Sequence, residues 1–286
     1  MHFRPTASFE SATPTWCPGC GNFGIWTTLK EVLVELGLHR EQVVISFDIG
    51  CSGNGSNTIG TYAFHGLHGR ALPLAEGIAL ANHGVTTIVI AGDGGAYGEG
   101  GGHFLHALRA NSNVTYLVDD NQLYGLTKGQ SSPTTEEGEK TSSAPYGVID
   151  HPLSPVAIAL AAGGSFVARG FAGNIPQLRE TLKAAILHRG FSFVDILQPC
   201  VTFNHHNTYA WIHEKVQAIS TEHDRTDVHA AWALAHPTDG SIPLGVFYQE
   251  ERPCLQDRMP VLTNGPLVAQ DSTHRNLTPL FERFQP

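Results

Sequence analysis

Three features of the sequence predict an α/β fold with a central, mostly parallel sheet and helices on both faces. Val85–Ala91 is a nearly continuous apolar run rich in β-branched residues, the pattern of a strand buried on both sides. A glycine-rich loop, Gly92–Gly102, follows directly, and a helical segment at Phe104–Ala110 leads to a further apolar strand at Val114–Val118. Strand, loop, helix and strand in that order make a βαβ unit, whose crossover is right-handed.

The flanking sequence continues the alternation. Ile25–Leu36 carries apolar residues at helical spacing and stops before Gly37, a natural C-cap. Val43–Phe47 reads as a buried strand, and Asp48–His68, rich in Gly, Ser and Asn, as a long loop over a site. Leu72–His83 reads as a helix with a proline near its first turn. Residues 122–150 lack periodicity and form a long loop of the kind that is functional or disordered. Val156–Ala162 and Gln177–His188 read as helices, Phe166–Ala168 and Phe191–Leu197 as strands. Residues 201–225 are weakly patterned, Asp227–Ala235 reads as a short helix, and the tail from Tyr248 is irregular. That tail is expected to wrap on this domain or on a partner. With no repeat or low-complexity linker, residues 1–286 are expected to form one domain.

Composition excludes several function classes. Hydrophobic residues make up 41% and charged residues only 15%, as expected of a surface partly covered by a partner. The net charge of -9, without a basic tract, argues against a nucleic-acid interface. The sixteen histidines are scattered, so most are expected to be core or surface groups. Met1–Thr15 lacks the basic and apolar regions of a signal peptide, and no apolar stretch reaches the length of a membrane span. A soluble, cytoplasmic protein is expected. Five sparse cysteines, Cys17, Cys20, Cys51, Cys200 and Cys254, do not resemble a secreted disulfide scaffold.

The densest chemical signal is Gly92-Asp93-Gly94, followed after a helix and a strand by Asp119-Asp120-Asn121. The βαβ unit puts Asp93 and Asn121 on the ligand-binding edge of the sheet. A diphosphate can be met there by backbone N–H groups and by a hard divalent cation that takes carboxylate, amide and carbonyl oxygens. Asp93, Asn121 and the Leu123 carbonyl supply those oxygens, and Gly94 and Gly95 allow close approach of the phosphates. A dinucleotide site is less consistent, because Gly92 and Gly94 are followed by Tyr97 where the fingerprint needs glycine. A purely structural turn is the other alternative. The cysteines also leave alternatives: Cys17 and Cys20 can share a metal centre or form a redox pair, and four thiolates suit zinc or a [4Fe–4S] cluster.

Several segments together resemble the beta subunit of the 2-oxoacid:ferredoxin oxidoreductases. They are Trp16-Cys17-Pro18-Gly19-Cys20-Gly21, Asp48-Ile49-Gly50-Cys51-Ser52, His68-Gly69-Arg70, the GDG element, and Asn121 through Gln130, from about residue 10 to residue 255 overall. The resemblance implies a thiamine-diphosphate-binding fold with an N-terminal cluster-binding segment. It implies that Asp93, Asn121 and Leu123 hold Mg²⁺. Gly50, Ser52, His68, Gly92, Gly94, Gly95, Tyr124, Gly125 and Leu126 would line thiamine diphosphate. Cys17, Cys20, Cys51 and Cys200 would hold a [4Fe–4S] cluster, leaving Cys254 as a buried small hydrophobe. His68, Arg70 and Lys128 would act at the substrate. The second acidic residue often found after GDG is replaced by Gly95 and Ala96, while the ligand pair itself is intact.

The activity so implied is oxidative decarboxylation of a 2-oxoacid to its acyl-coenzyme A, with electrons passing through the cluster to ferredoxin. 2-Oxoglutarate is the favoured substrate; pyruvate, branched-chain oxoacids and arylpyruvates fit the same class. The carboxylate that thiamine needs near its aminopyrimidine is absent from the motifs. The resemblance places it on an alpha subunit with the pyrimidine-binding domain, in an αβ or α₂β₂ assembly. A non-redox thiamine-dependent lyase and a noncatalytic zinc-binding assembly factor are the rival classes.

Overall fold

The computed structural model describes residues 9–271 and 276–285. Part of the N-terminal segment read for a leader, and a stretch of the tail, lie outside those residues.

In chain order the regular elements begin with helix α1, Asn22–Glu35, strand β1, Val43–Phe47, strand β2, Tyr62–His65, and helix α2, Ala71–Ala81. Strand β3, Thr86–Gly92, helix α3, Gly101–Ala110, and strand β4, Val114–Asp120, form the anticipated βαβ unit. A short hairpin follows, β5 at Leu123–Tyr124 and β6 at Gln130–Ser131. Then come α4 (Pro155–Ala161), β7 (Phe166–Phe171), α5 (Ile175–Leu187) and β8 (Phe191–Leu197). The chain continues through α6 (Tyr209–Lys215), β9 (Val216–Ala218), α7 (Val228–Ala235) and β10 (Ile242–Gln249) to α8 (Thr278–Glu282).

Eight strands make one sheet in the order β2-β1-β3-β4-β8-β7-β10-β9. Its pairings are parallel except for β10 against β7. Alternation along the strands sends side chains to two cores. Val89 and Ala91 of β3 pack under α2, α3, α4 and α7, while Ile88 and Ile90 pack under α1 and α5. The sheet is thus covered on both faces, which is why its central strands are apolar without a polar side.

The aromatic cluster under α3 supports the glycine loop after β3. Phe104 lies 4.7 Å from Phe193 between ring centroids, and Tyr97, inside that loop, lies 5.8 Å from Phe104. Tyr97 also donates its hydroxyl to buried Asp195 at 3.0 Å. Burial of each large apolar side chain contributes about 1.5–3 kcal/mol, so the loop rests on a stiff base.

Six elements depart from the sequence expectations. β2 lies inside the segment read as loop; all four of its residues are exposed on the sheet edge, so no hydrophobic pattern marked it. The β5–β6 hairpin lies inside the stretch 122–150. α6 and β9 lie inside the weakly patterned region. β10 carries regular structure to Gln249, past the start of the tail at Tyr248. Beyond it the tail does wrap on this domain: Leu255 N–H donates to the Asn111 carbonyl at 3.0 Å and Arg258 to the Ala110 carbonyl at 2.9 Å. Among the described residues no helix is long and apolar enough to cross a membrane.

Candidate active site

From β1 the chain moves outward to β2, then crosses back through α2 to β3 on the other side of β1. This reversal opens a crevice at the carboxyl ends of β1 and β3, where ligands bind in open α/β sheets. The cleft found there is lined by the turn after β1, by Gly92–Gly95 after β3, and by Asn121 and Leu123–Thr127 after β4. All the residues expected around thiamine diphosphate lie on its wall: Gly50, Ser52, His68, Gly92, Asp93, Gly94, Gly95, Asn121, Leu123, Tyr124, Gly125 and Leu126. Cys51 lines it as well, together with Ile49, Asp119 and Thr127.

The loop from Gly94 to Glu99 is a π-helical turn, closed by Gly100 N–H donating to the Gly95 carbonyl at 2.8 Å. A Cβ at Gly94 would lie 2.2 Å from Tyr124 Cε1, and one at Gly95 only 1.7 Å from Asp48 Oδ2. The glycines therefore admit two protein groups before any phosphate is considered.

Asp93 is 1% exposed. Thr134 Oγ1 lies 2.9 Å from Asp93 Oδ2 and 2.8 Å from Asp120 Oδ1. One hydroxyl has one proton, so it cannot donate to both carboxylates at once. Burial pushes Asp93 up to about 6, against the lowering effect of the Ser132 and Thr134 hydroxyls. Burial likewise raises Asp119 and Asp120, with Asp93 beside both and Asp195 beside Asp120. Asp119 Oδ1 and Ser52 Oγ have no hydrogen-bond partner. Buried, like-charged and partly unsatisfied oxygens are a fit environment for a divalent cation. Asn121 leaves an oxygen for it: Asn121 Oδ1 accepts from Leu123 N–H at 3.1 Å, and Nδ2 points away to Gln198 Oε1 at 2.9 Å.

His68 stands between two carboxylates. Its Nδ1 is 3.4 Å from buried Asp48 Oδ2 and its Nε2 is 3.3 Å from Glu99 Oε2. The first approach is too poorly aligned to satisfy either atom as a hydrogen bond. Tyr124 meets His68 edge-on, with 6.0 Å between ring centroids, and donates its hydroxyl toward Glu99 at 3.2 Å. Arg70 reaches backbone groups around this cluster. Its guanidinium donates to the Glu99 and Gly69 carbonyls at 2.8 and 3.1 Å, and the residue does not line the cleft. Lys128 is exposed, with a positive φ of 79°, just past the cleft wall at Thr127.

The cysteines come from three distant segments that are stitched together by backbone. Trp16 Nε1 donates to the Cys51 carbonyl at 2.7 Å, and Gly21 N–H to the Pro199 carbonyl at 3.2 Å. A Cβ at Gly125 would be 3.5 Å from Cys51 Sγ and 3.7 Å from Cys200 Sγ. All five cysteines are free. Cys20 is pushed up to about 12 and Cys51 to about 11, by burial first and then by neighbouring cysteines and Asp119. Free thiols so placed keep their protons, and a metal centre supplies the positive charge that favours thiolates. Among the described residues no three His, Cys, Asp or Glu side chains converge on one ion. A cubane cluster asks for something different, one thiolate at each of four irons, and the magnesium set asks for one carboxylate. Cys254 is fully buried, with its thiol 3.1 Å from Asp257 Oδ2.

Sequence reasoning passed over Asp48, Glu99, Asp119 and Gln198 as site residues. Asp48 and Asp119 had a local signal, since each sits at the carboxyl end of an apolar strand run. Gln198 and Glu99 had none.

Comparison with known proteins gives first the class. Residues 48–196 match the family of the thiamine pyrophosphate enzyme C-terminal TPP binding domain. Residues 200–264 match the family of the C-terminal part of the pyruvate ferredoxin oxidoreductase beta subunit. A 2-oxoacid:ferredoxin oxidoreductase subunit beta from Sulfolobus is 41% identical over 258 residues, 86% of this chain and 85% of that one. The 2-oxoglutarate oxidoreductase subunit KorB of Mycobacterium tuberculosis is 49% identical over 189 residues, 66% of this chain and 51% of that one. A solved structure of 2-oxoglutarate:ferredoxin oxidoreductase from Magnetococcus marinus, with 2-oxoglutarate, coenzyme A and succinyl-CoA bound, matches 100% of this chain and 97% of its own at a TM-score of 0.92 and 33% identity. The chain belongs to the beta subunits of the thiamine-pyrophosphate-dependent 2-oxoacid:ferredoxin oxidoreductases.

Proposed function

We propose that this chain is the cofactor- and cluster-bearing subunit of a complex that converts 2-oxoglutarate and coenzyme A to succinyl-CoA and CO₂, with electrons leaving to ferredoxin. The observation that carries the reading is the shared wall of the two sites. Cys51 and Gly125 line the cleft, and a Cβ at Gly125 would come within 3.5 and 3.7 Å of the Cys51 and Cys200 thiols. Thiamine diphosphate would supply the electron sink for decarboxylation when bound in the cleft.

The chain's own residues divide the remaining work. Asp93, Asn121 and the Leu123 carbonyl would hold Mg²⁺ on the diphosphate, and Cys17, Cys20, Cys51 and Cys200 the [4Fe–4S] cluster. His68, held between Asp48 and Glu99, would face the substrate from the cleft wall. Arg70 positions this arrangement by tying down the Gly69 and Glu99 backbone. Lys128, next in sequence to Thr127 of the cleft wall, would meet a substrate carboxylate. Residues 1–286 act as one thiamine-diphosphate-binding domain with an N-terminal cluster segment and a C-terminal tail. The cleft is closed by an alpha subunit, which brings the aminopyrimidine-binding carboxylate, in an αβ or α₂β₂ particle. The choice of 2-oxoglutarate is supported by the names of KorB relatives and of the matching structure.

The test is reconstitution with the alpha subunit. Ferredoxin reduction should require the 2-oxoacid, coenzyme A and thiamine diphosphate together, and 2-oxoglutarate should exceed pyruvate in kcat/KM. A complex with thiamine-dependent decarboxylation but no iron, no sulfide and no ferredoxin reduction would leave the non-redox lyase in its place.

A further inference from the structure

Gln198 lies directly after β8, 2% exposed, between the two sites. Its orientation follows from its partners. Gln198 Nε2 is 3.0 Å from the Pro199 carbonyl, which can only accept, and 3.3 Å from Cys20 Sγ. The two amide hydrogens are therefore spent on Pro199 and Cys20, and Oε1 is left to accept from Asn121 Nδ2 at 2.9 Å. The backbone is anchored by Gln198 N–H donating to the Asp120 carbonyl at 2.8 Å. Cys20 Sγ also receives the Asn22 backbone N–H. A continuous chain of donors thus runs from Asn121 through Gln198 to Cys20. Gly21 belongs to the same device, since a Cβ there would lie 2.8 Å from Gln198 Cγ and 3.0 Å from Nε2. The glycine after Cys20 leaves the space that the glutamine side chain fills.

We propose that Gln198 is a positioning residue that couples the diphosphate–metal site to the cluster and raises the cluster's reduction potential. The inference rests on the cofactor assignments above. A cluster takes up one electron at a time and becomes more negative; the electron would come from the 2-oxoacid as it is oxidised and decarboxylated, and would leave to ferredoxin. N–H donors to a ligating sulfur favour the more negative state, which raises the potential. A cation on Asn121 Oδ1 polarises that amide, strengthens its bond to Gln198 Oε1, and so strengthens the bond from Gln198 Nε2 to Cys20. Cofactor occupancy would therefore make the cluster a better acceptor when the cleft is loaded.

The experiment is a potentiometric titration of the assembled complex, followed by electron paramagnetic resonance, with and without Mg²⁺ and thiamine diphosphate. The parent should titrate at a higher potential when loaded. Gln198→Leu should lower the reduced-to-oxidised ratio at fixed potential roughly tenfold, about 59 mV for one electron, and lose the dependence on cofactor. Gln198→Glu keeps an acceptor for Asn121 but not the donor to sulfur, so it should keep cofactor retention and leave the potential low. Variants with a full cluster at the parent's potential would overturn the proposal. Should the leucine variant fail to assemble a cluster, the parent itself decides. With isotopically labelled glutamine, the reduced cluster should show a coupled side-chain nitrogen in electron–nuclear double resonance, and absence of that coupling overturns the link. Iron and sulfide missing from the parent would instead remove the functional reading, and the link with it.

Discussion

The cofactor cleft and the cysteine site use the same edge of one sheet, yet they differ in how they meet solvent. The cleft concentrates carboxylates with almost no exposure: Asp48, Asp93, Asp119 and Asp120 are all buried, and burial raises each of them. The cysteine site is graded, from buried Cys20 and Cys200 through half-buried Cys51 to exposed Cys17. Buried like charges create a site whose stability depends on a cation arriving. The thiols run from Cys51 on the cleft wall and the buried Cys20 and Cys200 to Cys17 at the surface, and under the proposed function that exposed end is where electrons would leave.

The largest effect should come from the thiols. Cys51→Ser or Cys200→Ser is expected to abolish cluster binding and ferredoxin reduction while thiamine diphosphate still binds. Cys254→Ser should keep full iron, because its thiol faces Asp257 on the far side. Iron and sulfide analysis checks both, and full iron in the Cys51 and Cys200 variants would break the comparison on its cysteine side.

Next comes the cation. Asp93→Ala should weaken Mg²⁺-dependent thiamine diphosphate binding by at least about a hundredfold, the upper range for partners of a metal site. The pH dependence has a definite sign. Asp93 is raised to about 6 from an ordinary value of 3.8, so between those values the folded empty chain binds more protons than the unfolded one. Its contribution to the empty chain's stability therefore falls as pH rises through that window. Cation binding needs the deprotonated form, so affinity should drop about tenfold per pH unit below 6. Isothermal titration across pH 5 to 8 reads the affinity and thermal unfolding of the empty chain reads the stability; a flat affinity profile would move the ligand role away from Asp93.

Asp48 tests the packing of the cleft rather than its charge. Asp48 Oδ1 accepts from Gly69 N–H at 2.8 Å. Asp48→Ala leaves that donor unpaired and should cost about 1–3 kcal/mol, measured by thermal or denaturant unfolding. An unchanged midpoint would mean that the His68 loop finds another anchor. The smallest effect is expected at Lys128. Its exposure limits an ion pair to about 1 kcal/mol or less. Lys128→Met should still lower kcat/KM for 2-oxoglutarate more than for pyruvate. An equal loss on both would assign the lysine to the carboxylate they share.

Legibility in the sequence followed burial. β1 and β8 fall where their apolar runs predict, Val43–Phe47 and Phe191–Leu197, because a strand covered on both faces needs little else. The βαβ unit with Asp93 and Asn121 at its strand ends was equally plain. β2 was hidden because Tyr62 and Phe64, 60% and 49% exposed, sit on an edge with no buried face to impose a period. Arg70 was read toward the substrate because it follows His68 in a motif, while its hydrogen bonds to the Gly69 and Glu99 carbonyls had no signal in the sequence.

By itself the sequence determined the buried strands and the helices between them, the GDG and asparagine pair, and the presence of four cysteines in motifs with a chemical reading. These depend on residue type and short spacing, which local backbone geometry translates directly. Only the tertiary structure decided that Cys51 and Gly125 share a wall between two sites, that Asp93 and Asp120 compete for one Thr134 proton, and that Gln198 touches Cys20 across 178 positions. Such contacts depend on how the β1, β4 and β8 ends are brought side by side. No period or spacing along the chain encodes which side chains will meet there.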